Sequence, residues 1–310
     1  MKETIRRVKQ VVSIQVFWVC VMGSSHASTV NFQITDTLVT STQEEAIEFV
    51  DQLNELAPSP FWPNIKPDLF LKNLKNNIHY PVSVYAGSAT NFCGYGALTY
   101  LFLLDDPLGY IKLILQLYRA GKAAYSGVIF HPSSSIKKVA GILKYKGILD
   151  IHHADQMWFL SLADHFKGYL NFFNHQYDPG DEDRLWAAVN YAKFNRMVKT
   201  LLRYKIEARG ADLIRPRVGD PYKYISEKMK TGTVVLFINN RIVHKKNHST
   251  LKLAFPTHYI VAEKISEENN VITFVYWDYG GKTLLQLSPA FFKRIIFGIS
   301  YCSKNGTHAN

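Results

Sequence analysis

The spacing of hydrophobic residues changes once along the chain, near residue 231. Before that point, apolar side chains recur three or four positions apart, as on the buried face of a helix. This pattern predicts helices over residues 42–56, from Cys93, from Asp106 to near Gly121, from Asp155, and over residues 183–204. Beyond it, short apolar and alternating runs predict strands over residues 234–238, 257–265, 271–277, 282–287 and 295–301, and a short helix over residues 289–294. We therefore expect an α+β protein, mainly helical first and closed by an antiparallel sheet.

Two of these strands are expected to bring a histidine and an aspartate together. The polar segment Glu267-Glu268-Asn269-Asn270 separates the strands over residues 257–265 and 271–277 and makes them a hairpin. His258 stands at the start of the first strand, and Asp278 follows the end of the second. Because the strands of a hairpin run antiparallel, the two side chains are expected at the same end of the sheet, within hydrogen-bonding reach.

Composition and charge are those of a folded, basic protein. The chain has 310 residues, of which 47% are hydrophobic and 20% charged, so it can bury a substantial core. An excess of basic residues gives a formal net charge of +11. Such a charge favours anionic surroundings, whether a cell-wall polymer, a lipid surface or a nucleic acid, and selects none of them. A solvated surface that confers solubility is the simpler explanation.

The first 27 residues have the three parts of a secretory signal. A basic start is followed by an apolar stretch from Val11 to Met22 and by the small-residue pattern Ser25-His26-Ala27. We therefore predict a signal peptide over residues 1–27, a secreted or periplasmic protein, and a mature domain over residues 28–310. Ser13 and Gln15 interrupt the apolar stretch, so a retained N-terminal helix or strand is the alternative. No other stretch has the length and apolarity of a transmembrane helix.

Cysteine is sparse, and one cysteine has a distinctive context. Removal of the N-terminal segment would leave only Cys93 and Cys302, which in an oxidising compartment could form a structural disulfide. Gly94 and Gly96 favour a different role for Cys93, because they allow close backbone approach where an apolar helix begins. A thiol at a helix N-terminus has its thiolate stabilised by the helix dipole. Cys302 lies in a polar tail, where an incidental cysteine needs no special explanation.

Cys93, His258 and Asp278 have the residue types of a nucleophile, a base and an orienting acid. A thiol becomes a strong nucleophile once a base takes its proton, and a carboxylate can hold the imidazole in the useful tautomer. The N-terminus of the Cys93 helix need only pack against the end of the sheet that carries the other two residues. The sequence therefore predicts a Cys-His-Asp catalytic triad.

Three short motifs resemble the papain-like cysteine peptidase superfamily, in particular its bacterial branches of bacteriocin-processing peptidases. They are Asn91-Phe92-Cys93-Gly94-Tyr95-Gly96-Ala97-Leu98, Thr257-His258-Tyr259-Ile260-Val261 and Trp277-Asp278-Tyr279-Gly280-Gly281. The resemblance implies that Cys93 is the nucleophile, that His258 is general base and then general acid, and that Asp278 orients it. It also implies a papain-like fold, with the nucleophile at a helix start in an N-terminal helical lobe, a large helical insertion at about residues 106–230, and the C-terminal sheet as the second lobe.

One feature departs from that family. Its members often place a glutamine shortly before the nucleophile to complete the oxyanion hole, and no glutamine stands between Gln52 and Gln116. The Cys93 backbone amide is one available donor, and Asn91 or Ser88 is the candidate for the second. Loss of one such donor costs about 100-fold to 1000-fold in rate. A triad that has kept its arrangement without its activity is therefore also compatible with the sequence.

Other clusters suggest weaker sites. His152, His153 and Asp155 could contact a metal, but adjacent histidines seldom point at one ion, and a loop with Asp155 capping the next helix is the simpler interpretation. His244 and His248 lie in a segment predicted to be a polar loop, which could cover the active site as a flap. The sequence predicts neither a metal site nor a cofactor.

The expected function is that of an exported cysteine hydrolase that cleaves a peptide or amide bond through a thioester on Cys93. Export and basic charge suggest peptidoglycan stem peptides as one substrate, and no specific nucleic acid is expected. A catalytically inactive binding protein for a peptide or anionic polymer is the alternative. An acyltransferase, in which an amine resolves the thioester, is also compatible with the same residues.

Overall fold

Helices dominate the first two thirds of the described chain and strands the last third. The computed structural model describes residues 41–143, 149–174, 176–239 and 256–304. The predicted signal peptide and the His244–His248 pair lie outside these residues. The described part contains nine α-helices: α1 (Gln43–Asp51), α2 (Pro67–His79), α3 (Cys93–Asp105), α4 (Pro107–Ala120), α5 (Ser134–Val139), α6 (His153–His165), α7 (Tyr191–Leu202), α8 (Pro221–Met229) and α9 (Pro289–Ile295).

Eight strands accompany these helices within the same ranges: β1 (Ala123–Tyr125), β2 (Val128–Phe130), β3 (Lys205–Gly210), β4 (Thr233–Ile238), β5 (His258–Glu268), β6 (Val271–Asp278), β7 (Gly281–Leu287) and β8 (Ile296–Ser303). Strands β1 and β2 form a small hairpin. The other six form one antiparallel sheet in the order β3-β8-β4-β5-β6-β7. The predicted α+β class and the β5–β6 hairpin are confirmed.

Both faces of the sheet are buried, by different sets of residues. Along β4, Val235 and Phe237 join a large hydrophobic cluster shared with helices α1 to α7. The alternate residues Val234, Leu236 and Ile238 join a smaller cluster with α8 and α9. This alternation follows from the two-residue period of a strand, in which successive side chains point to opposite faces. The sheet is therefore packed between a thick helical layer and a thin one.

The start of α4 follows its sequence signals. The Asp106 side chain accepts a hydrogen bond from the Gly109 amide, Pro107 occupies the first helical position, and the helix ends at Gly121 in the left-handed conformation. A carboxylate cap satisfies an otherwise unpaired amide, and proline at the first position loses no helical hydrogen bond. Helix α4 is therefore bounded where the sequence predicts.

Two predictions about the middle of the chain are wrong. The helix expected over residues 183–204 is a short 3-10 turn at Asp181–Asp183 followed by α7, because the Asn190 side chain caps the Lys193 amide and starts the helix there. Asp155 does not cap α6, which starts after His152, and is instead buried. Its carboxylate accepts hydrogen bonds from the amides of Asn73 and Asn77, at 3.0 and 2.7 Å.

The segment between Asp106 and Lys230 also takes part in the sheet. Strand β3 pairs with β8 at the edge of the sheet, with Lys205 opposite Ser303 and Gly210 opposite Gly298. Glu207 on β3 contacts Lys228 and Tyr224 of α8 through hydrogen bonds of 2.5 and 2.8 Å. The middle of the chain thus contributes an edge strand as well as helices. None of the helices within the described ranges is both long and apolar enough to cross a membrane.

Candidate active site

Cys93 is the first residue of α3, a helix that is buried over almost its whole length. Every residue of α3 except Leu104 is buried, so the apolar character of this segment on all sides matches its position. The first intrahelical hydrogen bond runs from the Gly96 amide to the Phe92 carbonyl, at 2.9 Å. The amides of Cys93, Gly94 and Tyr95 therefore have no acceptor within the helix, and the positive end of the dipole lies at the thiol.

Gly94 and Gly96 let other segments approach this helix start closely. A β-carbon on Gly94 would come within 2.8 Å of the Val189 Cβ, and one on Gly96 within 2.8 Å of the Ala86 Cβ. Any side chain at either position would push α3 away from its neighbours. The sequence-based expectation that these glycines serve close backbone approach is therefore confirmed.

His258 and Asp278 form a buried pair, as the hairpin predicts. The imidazole Nε2 contacts the Asp278 Oδ1 at 2.5 Å, and the two side chains are 1% and 3% exposed. Their proximity follows from the register, in which Val261 is opposite Trp277 near the end of the β5–β6 pair. The carboxylate accepts the Nε2 proton and so fixes the orientation of the ring.

The charge state of the imidazole is set by three competing influences. Burial lowers the pKa of His258, but the negative charge and hydrogen bond of Asp278, followed by those of Cys93, outweigh it and raise the pKa to about 10. The ring nitrogen Nδ1 is buried without a partner of ordinary hydrogen-bond geometry in the described part of the chain. Because Nε2 faces Asp278, Nδ1 is the nitrogen left to exchange a proton with the thiol.

The Cys93 thiol is held between the helix start and the first residues of β5. Its Sγ is 3.6 Å from the Thr257 carbonyl oxygen, immediately before His258. Cys93 and Cys302 are both free thiols, so the alternative of a disulfide between them is wrong. Cys302 is also not in a polar tail: it is buried in β8, and burial raises the pKa of its thiol to about 12.

Tyr279 covers the imidazole. Its ring stacks on that of His258 with centroids 4.4 Å apart and an angle of 21° between the planes. Tyr279 and Gly280 are the two central residues of the β6–β7 turn, with φ values of 40° and 81°. Two successive positive φ values are typical of a type I′ hairpin turn, which favours glycine or asparagine at both positions. A tyrosine at the first of them is an unusual choice, and its ring lies against the candidate base.

The two candidate oxyanion donors lie in the segment that leads into α3. The Asn91 side-chain amide donates to the Arg184 carbonyl at 2.9 Å, and its backbone amide donates to the Glu182 carbonyl at 2.8 Å. The Asn91 side-chain amide has two N–H groups, and this hydrogen bond uses one of them, so the second can still donate. The Ser88 backbone amide donates to the Tyr85 hydroxyl at 3.1 Å, and that hydroxyl also contacts the Ser88 hydroxyl. Their role as oxyanion donors stays a prediction.

Sequence reasoning missed three contributors to this site: Tyr279, Val189 and the Thr257 carbonyl. The Tyr-Gly dipeptide after an apolar strand was a signal for the turn, but no sequence pattern indicates that its ring would stack on a histidine 21 positions earlier. Val189 comes from a segment predicted to be helical. No group of three histidine, cysteine or acidic side chains with the spacing of a metal site occurs within the described ranges.

Comparisons of the chain with protein-family models, with curated proteins and with solved structures found no match. The assignment of a function therefore depends on the chemistry of the residues at this site.

Proposed function

We propose that the protein is a papain-like cysteine hydrolase that cleaves a peptide or amide bond, with Cys93 as nucleophile, His258 as acid and base, and Asp278 as the orienting group. The observation that carries the proposal is the buried pair of His258 and Asp278 at the helix start that bears Cys93. A positively charged imidazole beside a thiol favours ionisation of the thiol, which makes it nucleophilic.

The reaction has an acylation step and a hydrolysis step. The Cys93 thiolate attacks the carbonyl carbon and forms a carbon–sulfur bond, and the negative charge moves to the carbonyl oxygen. The carbon–nitrogen bond then breaks as His258 gives its proton to the leaving amine. Water attacks the resulting thioester, His258 takes a proton from this water, and the acid product leaves as the thiolate forms again.

The helix start offers a site for the transient oxyanion. Amide groups at the first turn of α3 lack intrahelical acceptors, so they can donate to a negatively charged oxygen beside Sγ. Asn91 and Ser88 are the nearest side-chain candidates along the sequence for a second donor. This arrangement would replace the glutamine that papain-like peptidases often use.

Thiol labelling tests the proposal without knowledge of the natural substrate. We expect iodoacetamide at neutral pH to modify Cys93 in the folded protein faster than it modifies free cysteine. His258→Ala should slow the reaction by about 100-fold, the lower range for loss of a general base. Peptide mapping by mass spectrometry locates the modified cysteine.

Two variants control this experiment. Cys93→Ala should abolish the fast phase, whereas Cys302→Ala should leave it unchanged because Cys302 is buried away from the site. If Cys93 reacts no faster than free cysteine and its rate is the same in His258→Ala, the hydrolase proposal is wrong. A non-catalytic binding protein on the same fold would then be the better account.

A further inference from the structure

A large cleft opens beside the candidate active site. It has a volume of about 1000 Å³ and is lined by α2, by the first turn of α6 and by the β6–β7 turn. Tyr279 and Gly280 form part of its wall, and Tyr279 is the residue that stacks on His258. A ligand in this cleft would therefore reach the aromatic ring that covers the candidate base.

The amide side chains of the cleft are already hydrogen-bonded within the protein. Asn73 donates to Asp155 at 3.0 Å, and Asn76 donates to Ser83 at 2.6 Å. Gln156 accepts from the Gly141 amide and donates to the Ile151 carbonyl, at 2.7 and 2.8 Å. These groups help to build the walls and have little capacity left for a ligand.

Two lysines in the cleft are different. Lys72 and Lys75 of α2 line it, and neither forms an ion pair with a carboxylate among the residues that the structure describes. Burial and then the charge of Lys72 lower the pKa of His152, which also lines the cleft, while the charge of Asp150 acts in the opposite direction. The N-terminus of α6 adds a partial positive charge on the same side as His152.

The rest of the lining argues for a peptide in preference to a polyanion. Leu69, Leu149 and Tyr80 give the cleft apolar surface that a peptide side chain can cover. Asp150 also lines the cleft and would repel a chain that carries a charge at every unit. An extended peptide presents alternate side chains about 6.6 Å apart, and residues three apart on a helix are about 5–6 Å apart. Carboxylates at alternate peptide positions therefore match the spacing of Lys72 and Lys75.

We propose that this cleft binds an acidic segment of a peptide substrate, with two carboxylates spaced as in Glu-X-Glu on Lys72 and Lys75. This assignment rests on the proposed hydrolase function. In it, the cleft is a subsite of the hydrolase and selects substrates by the sequence beside the bond that is cleaved. Tyr279 separates the bound acidic segment from the imidazole of His258.

Binding to a Cys93→Ala protein tests the cleft independently of catalysis. The probes are a fluorescein-labelled hexapeptide with a central Glu-Gly-Glu and the same peptide with both glutamates replaced by glutamine. We expect the acidic peptide to bind about tenfold or more tightly at low salt by fluorescence anisotropy, and its advantage to shrink at high salt. Equal affinity of the two peptides would overturn the proposal.

Charge-reversed variants locate the site. In the Cys93→Ala background, Lys72→Glu with Lys75→Glu should remove the preference for the acidic peptide. The control, Lys199→Glu with Lys205→Glu, makes the same change in net charge at two exposed residues that do not line the cleft, and should keep the preference. Circular dichroism and thermal unfolding verify that both double variants fold. An equal loss in both would show that only net charge matters and would overturn the assignment.

Two further measurements separate the possible failures. A single-stranded RNA of equal charge that binds as tightly and displaces the peptide would show a general polyanion site and would overturn the peptide assignment. In the wild-type protein, the acidic peptide should slow alkylation of Cys93, whereas the glutamine peptide should not. If Cys93 lacks reactivity dependent on His258 while the acidic peptide still binds through the two lysines, the hydrolase function fails and the cleft assignment stands.

Discussion

At the scale of single residues, the site combines an unfavourable backbone conformation with a buried charged pair. Tyr279 has a φ of 40°, which costs a residue with a bulky side chain about 1–3 kcal/mol. The stack on His258 gives a physical reason for retaining it, because the ring excludes water from the imidazole. With water excluded, the charge of Asp278 acts on the imidazole at lower effective dielectric and has a larger effect.

The pH behaviour of His258 should reveal this pair. Because the folded protein holds the imidazole proton more tightly than the unfolded chain, the contribution of His258 to stability is complete below pH 6.5 and is lost as the pH rises towards about 10. Asp278→Asn removes the main influence that raises the pKa, so burial then lowers it. We expect the titration midpoint of the ring, followed by NMR of labelled histidine, to fall by more than one pH unit.

The same variant should affect catalysis. Once a substrate is known, Asp278→Asn should lower kcat by about 100-fold to 10,000-fold and move the alkaline limb of the kcat/KM profile to lower pH. Asp220→Asn is a suitable control, because Asp220 caps the distant helix α8 and asparagine caps equally well. An unchanged midpoint for His258 in Asp278→Asn would contradict the assigned role of the carboxylate.

At the scale of elements, the position of α3 decides the geometry of the site. Its start is packed between the loop that carries Val189 and the loop that carries Ala86, with Trp277 of β6 against the Gly96 side. The Trp277 ring also stacks on Tyr100, with centroids 4.9 Å apart. These contacts hold the helix against the sheet, so the thiol is positioned by packing at the two glycines.

Exchanging glycine and alanine between positions 96 and 86 tests the packing of α3. Gly96→Ala should reduce the free energy of unfolding by about 1–3 kcal/mol through overpacking, more than the roughly 1 kcal/mol that alanine gains over glycine in a helix. Gly96→Ala combined with Ala86→Gly should recover part of the lost stability. The Ala86 Cβ, which would lie 2.8 Å from a Cβ at position 96, is absent in this double variant.

A double-mutant cycle by urea unfolding measures the coupling, for which we expect about 0.5–3 kcal/mol in favour of the swapped pair. Strict additivity of the two substitutions would show that the close approach of Gly96 and Ala86 does not determine the packing of α3. Labelling of Cys93 in the same variants would show whether a small shift of the helix also reduces the reactivity of the thiol.

At the scale of the whole molecule, one sheet joins two hydrophobic clusters. An aromatic column crosses the larger cluster, where Phe237 stacks on Tyr259 at 4.3 Å and Tyr259 on Phe194 of α7 at 4.4 Å. Tyr259 follows His258 in β5, so this stacking also fixes the backbone beside the candidate base against the helical layer. On the other face, Leu236 is fully buried against the thin layer of α8 and α9.

Both layers should therefore stabilise the site. We expect Leu236→Ala to reduce the free energy of unfolding by about 2–5 kcal/mol, as for other buried leucines, although it faces away from Cys93. Leu284→Ala, at a position of the sheet that is 60% exposed, should change it by less than about 0.5 kcal/mol. Urea unfolding of the two variants makes the comparison, and an equally small effect at Leu236 would show that the thin layer is dispensable.

Local signals in the sequence were sufficient for the elements that depend on neighbouring residues. The apolar strand β4, the turn between β5 and β6, the Asp106-Pro107 start of α4 and the start of α3 at Cys93 all follow from short-range preferences. The hairpin also predicted the meeting of His258 and Asp278, since two adjacent antiparallel strands bring their distant ends together.

The errors arose where distant contacts compete with local preference. Asn190 starts α7 later than the apolar pattern suggests, while the carbonyls of Glu182 and Arg184 accept hydrogen bonds from Asn91, about 90 residues earlier. Asp155 occupies a helix start, yet its carboxylate is buried against two asparagines of α2. A local pattern cannot reveal a partner so far away in the chain.

The sequence by itself determined the α+β class, the order of the elements from β4 to β8 and the residue types of the candidate triad, because these depend on periodicity and on neighbouring residues. Only the tertiary structure decided that Cys93 and Cys302 stay apart as free thiols, that Tyr279 covers His258, and that a cleft lined by Lys72 and Lys75 includes Tyr279 in its wall. The physical reason is that burial, stacking and charge depend on which distant segments pack together.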